Sequence, residues 1–312
     1  MLVTLKSILT RANKGKYAVG AFNVNNLEIL DAVIRAAERM RSPVIVQTSE
    51  GGVHYAGMEE VVALMRVEAK KAKVPVAVHL DHGKDVALLK KAIASGYTSV
   101  MIDGSSLPYA RNIAVTKDIV RRAHAKNISV EAELGAIAGI EDFVSVAERD
   151  AHFTSLEQAA DFVRKTKCDA LAIAVGTSHG AYKFKSEARL DIRRIREIKK
   201  KTRLPLVLHG ASGISPELLK RMHKHCSVFG DCARLEGARG VSDRMIRAAI
   251  KAGINKINID SDLRIAFTAA VREQLLKDKK TFDPRVILGS ARTLMQKVVE
   301  EKMKLFGSAG KA

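Results

Sequence analysis

The chain has 312 residues and a mass of 34.0 kDa, and 47% of its residues are hydrophobic, enough for one large domain or two small ones. Its 53 Lys and Arg exceed its 34 Asp and Glu, but 28% charged residues and a mean hydropathy of -0.03 exclude a disordered polyelectrolyte and a membrane protein. The amino terminus lacks a signal peptide's apolar core, and three cysteines fit a reducing compartment. We therefore expect a cytoplasmic protein.

The net charge of +19 keeps nucleic acid, an acidic surface and an anionic substrate open as partners.

Eight short runs rich in Val, Ile and Ala are each followed by a stretch of helical periodicity. Such continuous apolar runs between helices are typical of parallel strands buried on both faces. The predicted strands span residues 19–24, 43–49, 75–81, 99–103, 128–134, 170–175, 206–209 and 254–260. The predicted helices span residues 27–40, 59–71, 85–94, 110–125, 156–165, 191–201, 216–224 and 261–277.

Eight β-α units in about 250 residues match a closed (β/α)8 barrel in number and length. A doubly wound sheet would need a glycine-rich phosphate turn after its first strand, whereas Asn25 and Asn26 stand there. We predict an α/β fold, a (β/α)8 TIM barrel forming a single domain over residues 1–312, with an extra C-terminal helical segment. Two segments break the pattern: an insertion at residues 222–241, and a tail from residue 282 with an amphipathic helix around residues 295–305.

The reactive residues of such barrels stand at the carboxyl ends of the strands. His82, His179 and His209 each follow a predicted strand or end one, and each is followed by glycine. Three imidazoles converging on one mouth are a ligand set for a catalytic divalent metal, with a position left open for water or substrate. We predict a metal site from these three histidines.

Carboxylates end several of the same strands. Asp103 and Glu133 point to the same mouth, as ligands, as a brace for the ligands or as a second metal position. Asp81 precedes His82, and adjacent strand residues face opposite ways, so both reach the site only where the strand ends or bends. From the residues alone, Asp81 is equally a solvated turn residue or a general acid/base.

The segments after the sixth and seventh strands have the composition of phosphate-binding loops. Gly180 to Lys183 and Gly210 to Gly213 combine small residues, free backbone N–H groups, a hydroxyl and a lysine ahead of helices. No lysine stands at any of the eight strand ends, which disfavours Schiff-base chemistry.

These motifs resemble those of the class II, metal-dependent fructose-bisphosphate aldolases, in the shorter subgroup that includes the tagatose-bisphosphate aldolases. The resemblance runs from Leu2 to Gly307. The motifs that carry it, in family order, are Gly20-Ala21-Phe22-Asn23, Val78-His79-Leu80-Asp81-His82-Gly83, Ser99-Val100-Met101-Ile102-Asp103, Val130-Glu131-Ala132-Glu133-Leu134-Gly135, Gly176-Thr177-Ser178-His179-Gly180, Leu208-His209-Gly210-Ala211-Ser212 and Asn255-Lys256-Ile257-Asn258-Ile259-Asp260-Ser261-Asp262.

The resemblance implies a role for each matching residue. It makes His82, His179 and His209 the ligands of a catalytic Zn²⁺, with Asp103 and Glu133 where the family holds the metal or a second divalent ion. Asp81 resembles the acid/base for the C4 hydroxyl proton, and Glu141 the base that exchanges the proton on the dihydroxyacetone phosphate carbon. The implied substrate contacts are Gly180, Lys183, Gly210, Ser212, Asp260 and Ser261 at the dihydroxyacetone phosphate end, Asn258 near the reacting carbons, and Asn23, Ser49 and Arg285 at the other phosphate.

The expected activity is zinc-dependent, reversible cleavage of fructose 1,6-bisphosphate to dihydroxyacetone phosphate and glyceraldehyde 3-phosphate, a step of glycolysis and gluconeogenesis. The alternative substrate is tagatose 1,6-bisphosphate, which differs only at C4. From another class, the charge leaves open a basic nucleic-acid-binding or scaffold barrel. The resemblance further implies a monovalent cation, Na⁺ or K⁺, and a homodimer or homotetramer in which a neighbouring subunit supplies the arginine.

Overall fold

A computed structural model describes residues 1–141, 144–146, 152–179, 189–224, 226–229 and 240–312. Eight parallel strands close into a barrel, in which each strand pairs with the barrel strands before and after it in the chain. The barrel strands are β1 (Val19–Asn23), β2 (Val44–Thr48), β3 (Val76–Gly83), β4 (Ser99–Ile102), β5 (Ser129–Leu134), β8 (Ala170–Ile173), β10 (Leu206–Leu208) and β11 (Ile254–Ile259). A small separate sheet contains β6 (Ala138–Glu141), β7 (Val144–Val146) and β9 (Ser178–His179).

Helices surround the barrel strands, and the first of them precedes β1. They are α1 (Leu5–Gly15), α2 (Leu27–Met40), α3 (Glu50–Ala56), α4 (Met58–Lys71), α5 (Val86–Ser95), α6 (Tyr109–His124), α7 (Leu156–Thr166), α8 (Ile192–Thr202), α9 (Pro216–His223), α10 (Cys226–Phe229), α11 (Asp243–Ala252), α12 (Ser261–Lys277) and α13 (Pro284–Phe306). Several begin at a side chain that accepts a hydrogen bond from the first turn, such as Asn26, Ser155 and Ser215, which satisfies a backbone N–H without an intrahelical partner.

The apolar core has two parts. The larger part lies between the strands and the surrounding helices. The smaller part lies inside the barrel, where Leu5, Ile8 and Leu9 of α1 pack on Ala21 and Ile45. Helix α1 therefore closes the amino-terminal end of the barrel and leaves the carboxyl end for the site.

The predicted eight strands and their eight helices are confirmed, with boundaries within two residues and with α2 and α12 at the predicted residues. The C-terminal prediction was too short, because α13 already begins at Pro284, where Asp283 caps it, and runs along α2 and α12. Helices α1, α3, α10 and α11 and the small sheet have no counterpart among the predicted elements. The predicted insertion at residues 222–241 lies partly outside the described residues.

No helix in the described part of the chain is long and apolar enough to cross a membrane. Of the six basic residues of helix α8, Arg193 pairs with Glu197, and Arg194 pairs with Asp191. These exposed pairs stabilise the fold little.

Candidate active site

The carboxyl end of β3 brings two consecutive side chains into the barrel. His82 has a φ of 47°, and the pairing of β3 with β4 shifts register between Leu80 and Gly83. A side chain in the left-handed region is uncommon outside glycine, and a bulge re-aims the strand. Asp81 and His82 are both buried as a result. The strand therefore bends where the sequence required a bend for both residues to share one site.

Two imidazoles from distant parts of the chain face each other at this mouth. His209, directly after β10, has its Nδ1 2.7 Å from Nε2 of His82. The other nitrogen of each ring faces a carboxylate, with His209 Nε2 2.8 Å from Oε1 of Glu131 and His82 Nδ1 3.3 Å from Oδ2 of Asp103. These contacts assign the N–H groups to the carboxylate sides. The two facing nitrogens are then lone-pair donors, and a cation or a proton must lie between them.

The charges around the two histidines also favour a proton between their facing nitrogens. Burial lowers the pKa of His82, but Asp81 and the hydrogen bond to Asp103 raise it well above its usual value. Burial and the charge of His82 lower the pKa of His209. His82 therefore carries the proton that joins the two rings when no ion is bound.

The carboxylates next to His82 differ in charge state. Burial favours neutral Asp103, yet the hydrogen bond with His82 and the charge of His82 hold the pKa of Asp103 below its usual range. Burial and the Asp103 carboxylate raise the pKa of Glu133 well above its usual range. Oε2 of Glu133 is buried and has no hydrogen-bond partner within the described residues. An unpartnered buried carboxylate oxygen is costly unless a cation satisfies it.

The donor set fits a divalent metal. Two overlapping groups have their ligand atoms within 4.8 Å of one another: Asp81, His82 and His209, and His82, Asp103 and Glu133. Imidazole and carboxylate are the ligands that zinc takes in catalytic sites. These buried groups could hold a metal ion at the mouth.

Asp81 is held as a hydrogen-bond acceptor. Asn258 donates from Nδ2 to both carboxylate oxygens, at 2.9 and 3.0 Å, and Gln47 donates from Nε2 to Oδ2 at 2.9 Å. Gln47 also donates to Oδ1 of Asn23 at 2.7 Å. The network fixes Asp81 beside the His82 and His209 pair and links Asn23 and Asn258 to it.

The loops after β10 and β11 lie side by side. Ser212 and Asp260 are buried, and the backbone N–H of Asp260 donates to the Ser212 hydroxyl at 3.4 Å. Ser261 begins α12, so the amino-terminal end of a 17-residue helix opens here. Gly210 has a φ of 60°, a conformation that favours glycine. Helix N–H groups, hydroxyls and a sharp turn together can hold an anion.

The other predicted site residues have no hydrogen bond to Asp81, His82 or His209 among the described contacts. Ser49 is buried and caps α3, accepting from the N–H of Gly52 at 3.2 Å. The Arg285 side chain is 87% exposed and pairs with Asp283, and no hydrogen bond or ion pair in the described chain joins it to another predicted site residue. His179 and Glu141 end β9 and β6, but their side chains lie outside what the structure describes. Gly180 and Lys183 lie outside the described residues altogether.

The sequence reasoning missed four buried polar residues next to the site: Gln47, His79, Glu131 and Lys256. Each lies two residues before a strand end or a predicted site residue; Glu131 precedes Glu133, and Lys256 precedes Asn258. Because side chains alternate along a strand, these pairs share one face. Counting back by two from the predicted residues would have found them.

The fold and the site together define an α/β barrel with buried groups at its mouth that could hold a metal ion. A model of the family described as fructose-bisphosphate aldolase class-II matches residues 3–311. The chain belongs to the class-II fructose-bisphosphate aldolase family, a family of lyases, which confirms the resemblance carried by the strand-end motifs.

Relatives match over the full length. The chain is 49% identical over 315 residues to a fructose-bisphosphate aldolase of Thermus caldophilus and 44% identical over 312 residues to one of Helicobacter pylori, with 100% of both chains covered in each case. Among solved structures, the YdjI aldolase of Escherichia coli K12 aligns over 100% of both chains with a TM-score of 0.79 and 33% identity.

Proposed function

We propose that this enzyme catalyses the zinc-dependent, reversible aldol cleavage of fructose 1,6-bisphosphate to dihydroxyacetone phosphate and glyceraldehyde 3-phosphate. One observation carries the proposal: His82 and His209 point ring nitrogens at each other from 2.7 Å, with Asp81 hydrogen-bonded alongside. His82, His209 and His179 would hold the zinc ion, with Asp103 and Glu133 as the position of a second divalent ion.

Cleavage of the C3–C4 bond leaves negative charge next to the ketone. A divalent ion at the mouth supplies Lewis-acid stabilisation of that charge. Asp81 accepts the C4 hydroxyl proton during cleavage and returns it during condensation. Its hydrogen bonds from Gln47 and Asn258 support this role, because they orient the carboxylate and hold it as an acceptor. Glu141 exchanges the proton on the dihydroxyacetone phosphate carbon.

The two phosphates bind on opposite sides of this centre. The dihydroxyacetone phosphate end is held by Gly180, Lys183, Gly210, Ser212, Asp260 and Ser261, with Asn258 near the reacting carbons. The other phosphate is held by Asn23, Ser49 and Arg285. The exposure of Arg285 supports a homodimer or homotetramer in which this arginine serves a neighbouring subunit. A monovalent cation, Na⁺ or K⁺, binds near the His179 and His209 loops.

The proposal extends to the cellular setting. The enzyme is a single barrel domain over residues 1–312 that works in the cytoplasm, in glycolysis and gluconeogenesis. The names of the two full-length relatives support fructose over tagatose bisphosphate.

Metal removal tests the reaction type. Dialysis against a chelator should abolish cleavage, and added zinc should restore it, because the metal ion is the electron sink of the proposed reaction. If activity persists under chelator and borohydride traps a lysine adduct of the substrate, the metal proposal is wrong. Coupled assays on fructose and tagatose 1,6-bisphosphate then test the substrate, and equal turnover of both sugars would contradict the preference for fructose.

A further inference from the structure

A lysine lies inside the barrel directly below the candidate metal site. Lys256, in the middle of β11, has a side chain with no exposed surface. Its Nζ lies 2.8 Å from Oε2 of Glu131 and 3.9 Å from Oδ1 of Asp81, and it donates to Nε2 of His79 at 3.4 Å. A buried ammonium is costly unless carboxylates and hydrogen-bond acceptors surround it, so this lysine occupies a position built for a positive charge.

Glu131 connects this lysine to a proposed metal ligand. Its Oε2 faces Lys256 in an ion pair that lacks hydrogen-bond geometry, and its Oε1 accepts from Nε2 of His209 at 2.8 Å. With the proton of His209 on Nε2, the ring presents Nδ1 to the gap that it shares with His82. The Glu131 carboxylate therefore contacts both the Lys256 ammonium and the His209 imidazole.

The same lysine excludes a second cation position. His79, Asp81 and Glu131 form a third group whose ligand atoms lie within 4.8 Å of one another. The Lys256 ammonium lies within 3.9 Å of an atom of each of the three. A fixed charge there repels a divalent ion and leaves the two groups around His82 for the metal.

We propose that Lys256 is a positioning residue of the metal site: its ammonium anchors Glu131, and Glu131 orients His209 so that Nδ1 faces the metal. Outer partners of metal-bound histidines commonly act in this way, and losing one weakens metal binding roughly 10–100-fold. The inference rests on the proposed metal-dependent reaction, but it concerns metal binding and not turnover.

The test measures the zinc dissociation constant of the full-length protein by competition with a chromophoric chelator. Lys256→Met and Glu131→Gln should each weaken zinc binding roughly 10–100-fold. The zinc dissociation constant of the double variant should equal the larger of the two single-variant values. The two losses should not add, because both residues act through one chain of contacts. The visible absorption bands of the cobalt-substituted protein should shift in Lys256→Met, which a merely structural lysine would not cause.

Lys302→Met is the matched control. Lys302 is also nearly buried and pairs with Asp262 at 2.8 Å, but it has no contact with Glu131 or the histidines in the described chain. Its loss removes a comparable ion pair and should leave zinc affinity and the cobalt spectrum unchanged.

The outcomes are distinguishable. If Lys256→Met does not fold, the double variant, which removes both charges together, carries the test and should still show weakened zinc binding. A folded Lys256 variant with the zinc affinity and cobalt spectrum of the wild type would overturn the inference, as would fully additive losses in the double variant. Failure of the wild-type protein to bind zinc would instead refute the proposed function.

Discussion

The two ends of the barrel interior contain opposite kinds of side chain. At the amino end, Ala21, Ile45, Ala77, Met101 and Val207 pack against α1 in a wholly apolar cluster. Two residues further along the same strands, the inward positions are Asn23, Gln47, His79, Asp103 and His209. All ten residues are buried. On these five strands, one step of the strand period therefore separates an apolar inward position from a polar one, whereas Glu131 and Lys256 of β5 and β11 lie in register with Met101 and Val207.

The difference has an energetic cause. Burying an apolar side chain such as Leu9 stabilises the fold by about 1.5–3 kcal/mol. Each buried ion costs several kcal/mol before it is paired, so the carboxyl end is held together by compensation, as between Glu131 and Lys256. Loss of side-chain volume should therefore destabilise the amino end, and loss of a charge partner should perturb the carboxyl end.

The largest effect is expected for Asp81→Asn. The amide keeps the shape of the side chain but cannot accept the C4 hydroxyl proton, so kcat should fall about 10²–10⁴-fold. Steady-state kinetics of the zinc-loaded enzyme measures it. Asp118→Asn, at a partly exposed carboxylate of α6 that pairs with Arg121 and Arg122, is the control and should keep kcat. A fall of less than tenfold in Asp81→Asn would remove this residue from the proton transfer.

A smaller effect, on stability alone, is expected at the other end. Leu9 of α1 has no exposed surface, and Leu9→Ala should lower the free energy of unfolding by about 2–5 kcal/mol through lost burial and a cavity. Urea unfolding measures this loss, and the kcat of the folded fraction should stay at the wild-type value. Leu64→Ala, at a leucine that is 42% exposed, should cost much less. A reduced kcat in Leu9→Ala would show that the two ends are coupled.

The smallest effect concerns pH. Burial and the charge of Lys256 lower the pKa of His79 to about 3, whereas the unfolded chain has the ordinary value of about 6.5. The unfolded state therefore binds a proton that the folded state does not, and stability is lost as pH falls from about 6.5 towards 3. Between pH 7 and pH 5 the metal-free protein should lose about 2 kcal/mol through this group.

Urea unfolding of metal-free protein at the two pH values measures that loss. His79→Gln should reduce the loss, whereas Leu64→Ala, which removes no titratable group, should retain the wild-type pH dependence. An unchanged pH dependence in His79→Gln would mean that another group of the carboxyl end is responsible.

Most of the barrel could be predicted because its strands are buried on both faces and its helices are not. The run at residues 19–24 and the amphipathic repeat at 27–40 differ in period, which distinguishes a strand from a helix without tertiary information. Helix α3 could not be predicted in this way, because Gly51 and Gly52 are poor helix formers. It forms where Ser49 caps its first turn and where it packs against β2 and β3.

The sequence predicted a cluster at the strand ends but not the residues below it. Asp81, His82, Asp103 and His209 were expected at one mouth because they follow or end apolar runs, and the structure brings them together there. Lys256 was not found, since a lysine is ordinarily exposed and only the closed barrel, with Glu131 opposite, makes an interior ammonium stable.

The sequence by itself determined which residues alternate into the barrel and which strand ends contain imidazoles and carboxylates, because side-chain period and burial are local properties of each run. Only the tertiary structure decided that His82 and His209, 127 residues apart, face each other nitrogen to nitrogen. Barrel closure and the bend at His82 set the height and direction of each side chain, and neither is encoded in any single strand.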